Sequence, residues 1–381
     1  MSDFLPYGRQ WVDDDDIAAV TAVLRSDYLT TGPAVVAFEE SLVAATGARN
    51  AVAVNSGTSA LHAMYFAAGL EPGDEVITSP LTFAATANAA LYLGADVRFV
   101  DVAPDTGNLD PTLVREAITD RTRLVVSVDF AAHPADYDEL HAATQGSRAT
   151  VVADAAHSLG ATYKGRKVGT LAAATEVSFH PVKPVTTAEG GAVLTDDPLL
   201  ARRASLFRTH GITRDVDLME SDEGPWWYEQ HHLGYNYRLT DVQAALGSSQ
   251  MSKLGPFIQR RRAIAARYTS AFAGISELIV PTERSYVESG WHLYVIRVAG
   301  DSGRRRPFFE HLRANGLGVQ VHYIPVYFHP YYQRLGIERG TCPVAEDFYS
   351  RAVSLPIYPQ MSDDQVDSCI ERVLTAVREC L

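Results

Sequence analysis

The stretch ATVVADAAH, residues 149–157, decides how the chain folds. Its apolar run is too short for a helix and shows no polar alternation. It reads as a strand buried on both faces, the kind found in parallel sheets covered by helices. The run ends on Asp154, with His157 three residues on. RLVVSVDF, residues 123–130, has the same form and ends near Asp129.

Outward from these two runs, β-rich segments alternate with Ala/Leu-rich ones. Strands are expected at Ala51–Asn55, Glu75–Thr78, Val97–Val102, Leu124–Asp129, Thr150–Asp154, Glu176–Phe179 and Ala192–Thr195. Helices are expected at Thr58–Ala68, Phe83–Leu93, Pro111–Ile118 and Asp136–Ala143. This alternation predicts an α/β fold with a mostly parallel central sheet flanked by helices. Leu239–Ala273 reads as a long helical stretch broken at Gly255-Pro256. Beyond it, WHLYVIRV (291–298) and GVQVHYIPV (318–326) read as strands and Asp363–Glu379 as a terminal helix. A smaller C-terminal α+β domain is expected over 255–381. The N-terminal segment and large domain occupy 1–254.

Bulk composition narrows the function. The 381 residues are 46% hydrophobic and 21% charged, enough for a sizeable core, and the net charge is −13. The basic runs Arg260-Arg261-Arg262 and Arg304-Arg305-Arg306 are short and are assigned to a solvated helix face and a loop. No nucleic-acid partner is expected without a sustained basic surface. Cys342, Cys369 and Cys380 lack metal-ligand spacing, and no metal is expected. No apolar stretch is long enough to span a bilayer. The opening MSDFLPYGRQWVDDDD turns acidic without an apolar signal core. A cytoplasmic protein with no membrane partner is expected.

In open parallel sheets, ligands collect at the carboxyl ends of the strands. The polar residues there are Asn55-Ser56-Gly57-Thr58-Ser59, Asp129, Asp154 with His157, and Ser178 followed by Lys183. NSGTSAL (55–61) resembles a strand-to-helix turn whose free N–H groups suit a phosphate, although Ser and Thr also cap many helices. Gly57 lets the backbone approach a ligand closely. Asp154 can hold a proton on a heterocyclic nitrogen, as pyridoxal phosphate requires, or simply pair with a helix terminus. In SFHPVKPVTTAEGG (178–191), Pro181 and Pro184 stiffen the segment around Lys183. A lysine so held can form a Schiff base with a carbonyl and then act as acid and base.

Three motifs, VADAAH (152–157), SFHPVKPVTTAEGG and GYNYRLTDVQAALG (234–247), together resemble the DegT/DnrJ/EryC1/StrS sugar aminotransferases. LTTGPAVVAFEE (29–40) and VQVHYIPVY (319–327) extend the likeness nearly end to end. The resemblance implies a fold type I enzyme using pyridoxal 5'-phosphate, with pyridoxamine phosphate as intermediate. Lys183 is similar to the Schiff-base lysine, Asp154 to the pyridinium partner and His157 to the neighbour of the ring oxygen. Thr58, Ser59 and Ser178 resemble phosphate ligands. Phe83, in PLTFAATANA (80–89), resembles the aromatic residue stacked on the ring; it could equally be a core phenylalanine.

Asn236 is similar to the asparagine that reaches the cofactor phosphate of a neighbouring subunit. That implies a homodimer with a shared active site. Tyr7, Asp27, Tyr28, Leu29, Thr30, Gln320, Val321, His322 and Tyr323 would line the sugar site; His322 and Tyr323 would alternatively pack in a sheet. The implied substrates are L-glutamate and a nucleotide-linked 4-keto-6-deoxy sugar. Within the family, KPVTTAEGGAVLT (183–195) and AEDFYSRAVSLP (345–356) favour a UDP-2-acetamido-2,6-dideoxy-4-ketohexose. The acidic Asp27 in SDYLT leaves the sugar open. A ketocyclitol aminotransferase of the same fold and a non-catalytic regulator are the other readings. Family dehydratases carry histidine in place of the lysine, and this chain keeps Lys183.

Overall fold

The computed structural model describes residues 4–381. Seven strands build the central sheet: β1 (Asn50–Val54), β2 (Glu75–Thr78), β3 (Asp96–Phe99), β4 (Thr122–Val128), β5 (Thr150–Asp154), β6 (Thr175–Ser178) and β7 (Gly191–Thr195). Their order is β1-β7-β6-β5-β4-β2-β3. β7 runs antiparallel to β1 and to β6, and the other neighbours are parallel. A parallel pair needs a long crossover, so helices return over the faces between strands. Val125, Val151 and Val177 pack on one face of the sheet, and Val126, Val152 and Val193 on the other. Burial on both faces is what made these strands continuous apolar runs.

A second core lies around the three-stranded antiparallel sheet whose middle strand is Tyr294–Val298. Tyr294, Ile296, Phe308, Val353 and Val366 fill it. Leu5 joins this core, its backbone exchanging bonds with Gly316 and Gly318 at 2.9 and 2.7 Å. The helix Leu254–Phe272 contributes Leu254 and Ile258 to the first core and Ile264, Tyr268 and Phe272 to the second. We propose that the division near Leu254 separates the two cores along the chain, with this helix bridging them.

Four expectations are corrected. The helical stretch after Leu239 breaks between Met251 and Leu254, earlier than Gly255-Pro256. Pro256 sits in the first turn of the second helix, where its missing N–H would have had no intrahelical partner. GVQVHYIPV does not form a strand: Gln320 makes one isolated bridge to Ser354 and the chain then leaves the sheet. Pro325 cannot donate to a ladder, and His322 and Tyr323 are engaged elsewhere. Finally, Arg261 is not solvated. It is fully buried, and its Nη1 donates to the carbonyls of Ile357, His292 and Trp291 at 2.9, 3.3 and 3.4 Å. Arg305 and Arg306 open the helix Arg305–Ala314 and so lie outside a loop.

Among the described residues, no helix is long and apolar enough to cross a membrane.

Candidate active site

At the carboxyl ends of the parallel strands lies a cavity of about 490 Å³, lined by residues between 56 and 189 together with Tyr7, His322 and Tyr323. Its first wall is the start of the helix Gly57–Ala67, reached directly from β1. Ser56 caps this helix, its hydroxyl accepting from the Ser59 N–H at 3.1 Å. Gly57 has no room for a side chain: a Cβ there would lie 2.6 Å from Glu176 Oε1 and 3.0 Å from Ser178 Oγ. The backbone can therefore approach β6 closely. The helix start, Thr58 and Ser178 line the cavity, an arrangement suited to an anion. Ser59 differs. Its hydroxyl donates to Asn55 Oδ1 at 2.7 Å, and the residue does not line the cavity.

The floor is acidic. Asp154 ends β5 and is buried. Thr86 donates to its Oδ2 at 2.6 Å, and the Ala156 N–H reaches Oδ1 at 3.3 Å. Glu176 lies opposite Asp154 in the register of β5 and β6 and also lines the cavity. Burial pushes the Glu176 carboxyl well above the usual range, the Asp154 charge adds to this, and the Lys183 amine opposes it.

Lys183 rises from the loop after β6. Its N–H donates to the His180 carbonyl at 2.9 Å. The loop is tied back to Phe179, whose carbonyl accepts from the Thr187 N–H and the Thr186 hydroxyl, each at 3.0 Å. Surrounded by protein, the Lys183 amine is pulled down to about 8, against the pull of Glu176 and Asp154. It is neutral for part of the time near neutral pH, as a nucleophile and proton carrier must be.

The roof comes from the C-terminal part of the chain. Tyr323 and His157 meet through the hydroxyl and Nε2 at 3.0 Å. His157 Nδ1 is buried and finds no partner among the described residues, so it is the nitrogen left for a ligand. Burial holds this imidazole neutral, with the Lys183 charge acting the same way. His322 is fixed by Ser354 Oγ at 2.8 Å and lies beside Tyr7, ring centroids 5.5 Å apart. Phe83 lines the cavity and is 65% exposed, so it is not a core phenylalanine.

The fold thus gathers Tyr7, Gly57, Thr58, Phe83, Asp154, His157, Ser178, Lys183, His322 and Tyr323 around one space. Outside it lie Asp27, Tyr28, Leu29, Thr30, Asn236, Gln320 and Val321. Tyr28 and Leu29 are more than half exposed. Asp129, also at a strand end, is structural here: it accepts from Tyr137, Ser158 and the Ala135 N–H at 2.8, 2.6 and 2.9 Å. Sequence reasoning passed over Thr86 and Glu176. Glu176 carried a usable signal, since it stands two residues before Ser178 on a strand and so shares its face.

The DegT/DnrJ/EryC1/StrS aminotransferase family matches residues 10–374. The chain belongs to this family. It is 38% identical over 366 residues to the UDP-4-amino-4,6-dideoxy-N-acetyl-beta-L-altrosamine transaminase of Campylobacter jejuni, covering 94% of this chain and 93% of the relative. Its fold is similar to that of Helicobacter pylori PseC, an aminotransferase involved in the biosynthesis of pseudoaminic acid. The TM-score is 0.93 at 33% identity, over 99% of this chain and 100% of the other. Streptococcus pneumoniae Spr1654, a putative sugar aminotransferase solved in PLP and PMP forms, matches each time with a TM-score of 0.92 at 32% identity. The overlap is 99% of this chain, with 100% of the PLP-form chain and 98% of the PMP-form chain. The family, the named relatives and the solved structures together make this chain a sugar aminotransferase, and its fold and strand-end cavity agree with that activity.

Proposed function

We propose that this aminotransferase uses pyridoxal phosphate to move an amino group from L-glutamate to carbon 4 of a nucleotide-linked 4-keto-6-deoxy sugar. A UDP-2-acetamido-2,6-dideoxy-4-ketohexose is the acceptor the relatives' names favour. The observation that carries the cofactor assignment is the convergence of Lys183, Asp154 and the Gly57 helix start on one cavity. The unpartnered Nδ1 of His157 and the exposed ring of Phe83 fit a flat, polar-edged heterocycle.

When bound, the cofactor supplies an aldehyde and an electron-poor ring. The residues do the rest. The helix start, Thr58 and Ser178 would hold the phosphate. Asp154, aimed by Thr86, keeps a proton on the ring nitrogen. Phe83 would lie against the ring and His157 would reach its oxygen. Lys183 moves a proton on and off the carbon bearing the amino group. Tyr7, His322 and Tyr323 face the space left for the sugar.

The homodimer belongs to the same proposal. Thr30 bridges Thr240, and Asn236 bridges Thr209, so the SDYLT stretch and Asn236 are held by backbone pairing outside their own cavity. They would complete the site of a second copy. Mixing Lys183→Ala with Asn236→Ala subunits should restore activity to one site in each mixed dimer. No recovery would count against sharing. Incubating the protein with L-glutamate and each of several UDP-linked keto sugars, with carbon 4 of the product read by NMR, tests the acceptor. Turnover of ketocyclitols alone would overturn it.

A further inference from the structure

Glu176 is a buried acid that the site described above does not use. Its side chain is 1% exposed. Both carboxyl oxygens lie out of reach of solvent, and neither finds a donor among the described residues, the Lys183 amine included. A carboxylate left without donors in such a place costs several kcal/mol, roughly, and normally takes up a proton instead. A carboxylic acid needs an acceptor, and one is at hand. Asp154 is its partner in strand register, on the same face of the sheet.

The groups facing Glu176 are few. Asp154 comes from β5, Lys183 from the loop, and Tyr65 from the helix Gly57–Ala67. On the antiparallel neighbour β7 its register partner is Val193, which is apolar. Gly57 and Ser178 close in from the phosphate side. An ionised Glu176 would stand beside both Asp154 and the anion cradle, with Lys183 as its single cationic neighbour among the described residues. Burial and the Asp154 charge both act to keep it protonated.

We infer that Glu176 is a neutral carboxylic acid whose O–H donates to Asp154, fixing that carboxylate and setting how strongly it holds the proton on the cofactor's ring nitrogen. Glu176 is thus a positioning residue acting through Asp154. The inference rests on reading Asp154 as the ring-nitrogen partner. A buried carboxyl that stays neutral so that it can donate is an established way of tuning a site.

The test begins with the protein freed of cofactor. The infrared difference spectrum of wild type minus Glu176→Gln at pH 7 should show a carboxylic-acid C=O band. Pyridoxal phosphate binding is then measured by equilibrium dialysis. Glu176→Gln, which still donates, should bind within about twofold of wild type. Glu176→Leu, which cannot donate, should bind about tenfold more weakly. Its visible spectrum should also titrate at a different pH. A missing band would overturn the neutral acid. A band with wild-type binding and titration in Glu176→Leu would overturn the positioning role. A band in a protein that binds no pyridoxal phosphate would support the neutral acid and bring down the cofactor assignment instead.

Discussion

The hydroxyl of Tyr323 and Nε2 of His157 meet at 3.0 Å, joining residues 166 positions apart in the chain. The bond draws the segment after Gln320 down onto the end of β5. It also decides which edge of the imidazole is free, because Nδ1 is the ring nitrogen left without a partner among the described residues. Tyr323→Phe removes the contact and leaves a second buried nitrogen unsatisfied. Losing such a bond costs about 1–3 kcal/mol. We expect kcat/KM to fall about tenfold or more, with the fold intact by circular dichroism. Wild-type kinetics in Tyr323→Phe would show that the bond does not position His157.

Lys183 sets a pH dependence that can be read without turnover. Its amine is pulled down to about 8 by burial. Only the neutral amine attacks an aldehyde. The rate at which cofactor-free protein takes up pyridoxal phosphate should therefore climb with pH and level off above about 8. Below that, each pH unit should slow it about tenfold. Lys183→Ala should show no such covalent phase and lose at least about a thousandfold in turnover. A flat profile in the wild type would mean that the amine is not tuned as described.

Thr86 donates to Asp154 at 2.6 Å and so accepts from Thr82 at 2.7 Å. A hydrogen bond to a charged group contributes about 1.5–3 kcal/mol. Thr86→Val keeps the shape and removes the donor. Pyridoxal phosphate affinity, followed by absorbance, should drop by about tenfold or more. Thr82→Val should do much less, because it touches Asp154 only through Thr86.

Asp129 gives a test of the scaffold apart from the chemistry. Burial raises its carboxyl to about 6, partly offset by the bonds from Ser158, Ala135 and Tyr137. The folded form therefore holds this proton more tightly than the unfolded chain does. Its stabilising contribution is full below the ordinary carboxyl value and is lost as pH rises through about 6. The loss amounts to about 3 kcal/mol. Urea unfolding at a series of pH values should show wild type falling relative to Asp129→Asn across this window. Parallel curves would contradict the assignment.

The sheet was legible because burial on both faces writes itself as uninterrupted apolar runs, and because helices must return between parallel strands. The acid, histidine and lysine of the site were legible for a related reason: each closes or follows one of those runs. Other features depend on contacts that no local pattern encodes. Arg261 looks like part of a solvated triplet, yet its burial is set by the carbonyls of Trp291, His292 and Ile357. Residues 318–326 alternate like a strand, yet His322 is drawn to Ser354 and Tyr323 to His157. Thr86 is one of several small residues on its helix, and only its hydrogen bond to Asp154 at the end of β5 singles it out. Asp27–Thr30 and Asn236 lie apart from the cavity of their own chain, and only the proposed second copy would bring them to a site.

The central claim is that Lys183 holds pyridoxal phosphate and passes on an amino group from L-glutamate. The visible absorption spectrum of the purified protein, before and after addition of L-glutamate, tests it most directly. A yellow protein that bleaches with glutamate, and regains its colour with the keto acceptor, is the result this account predicts. A protein that stays colourless after pyridoxal phosphate is supplied would contradict it.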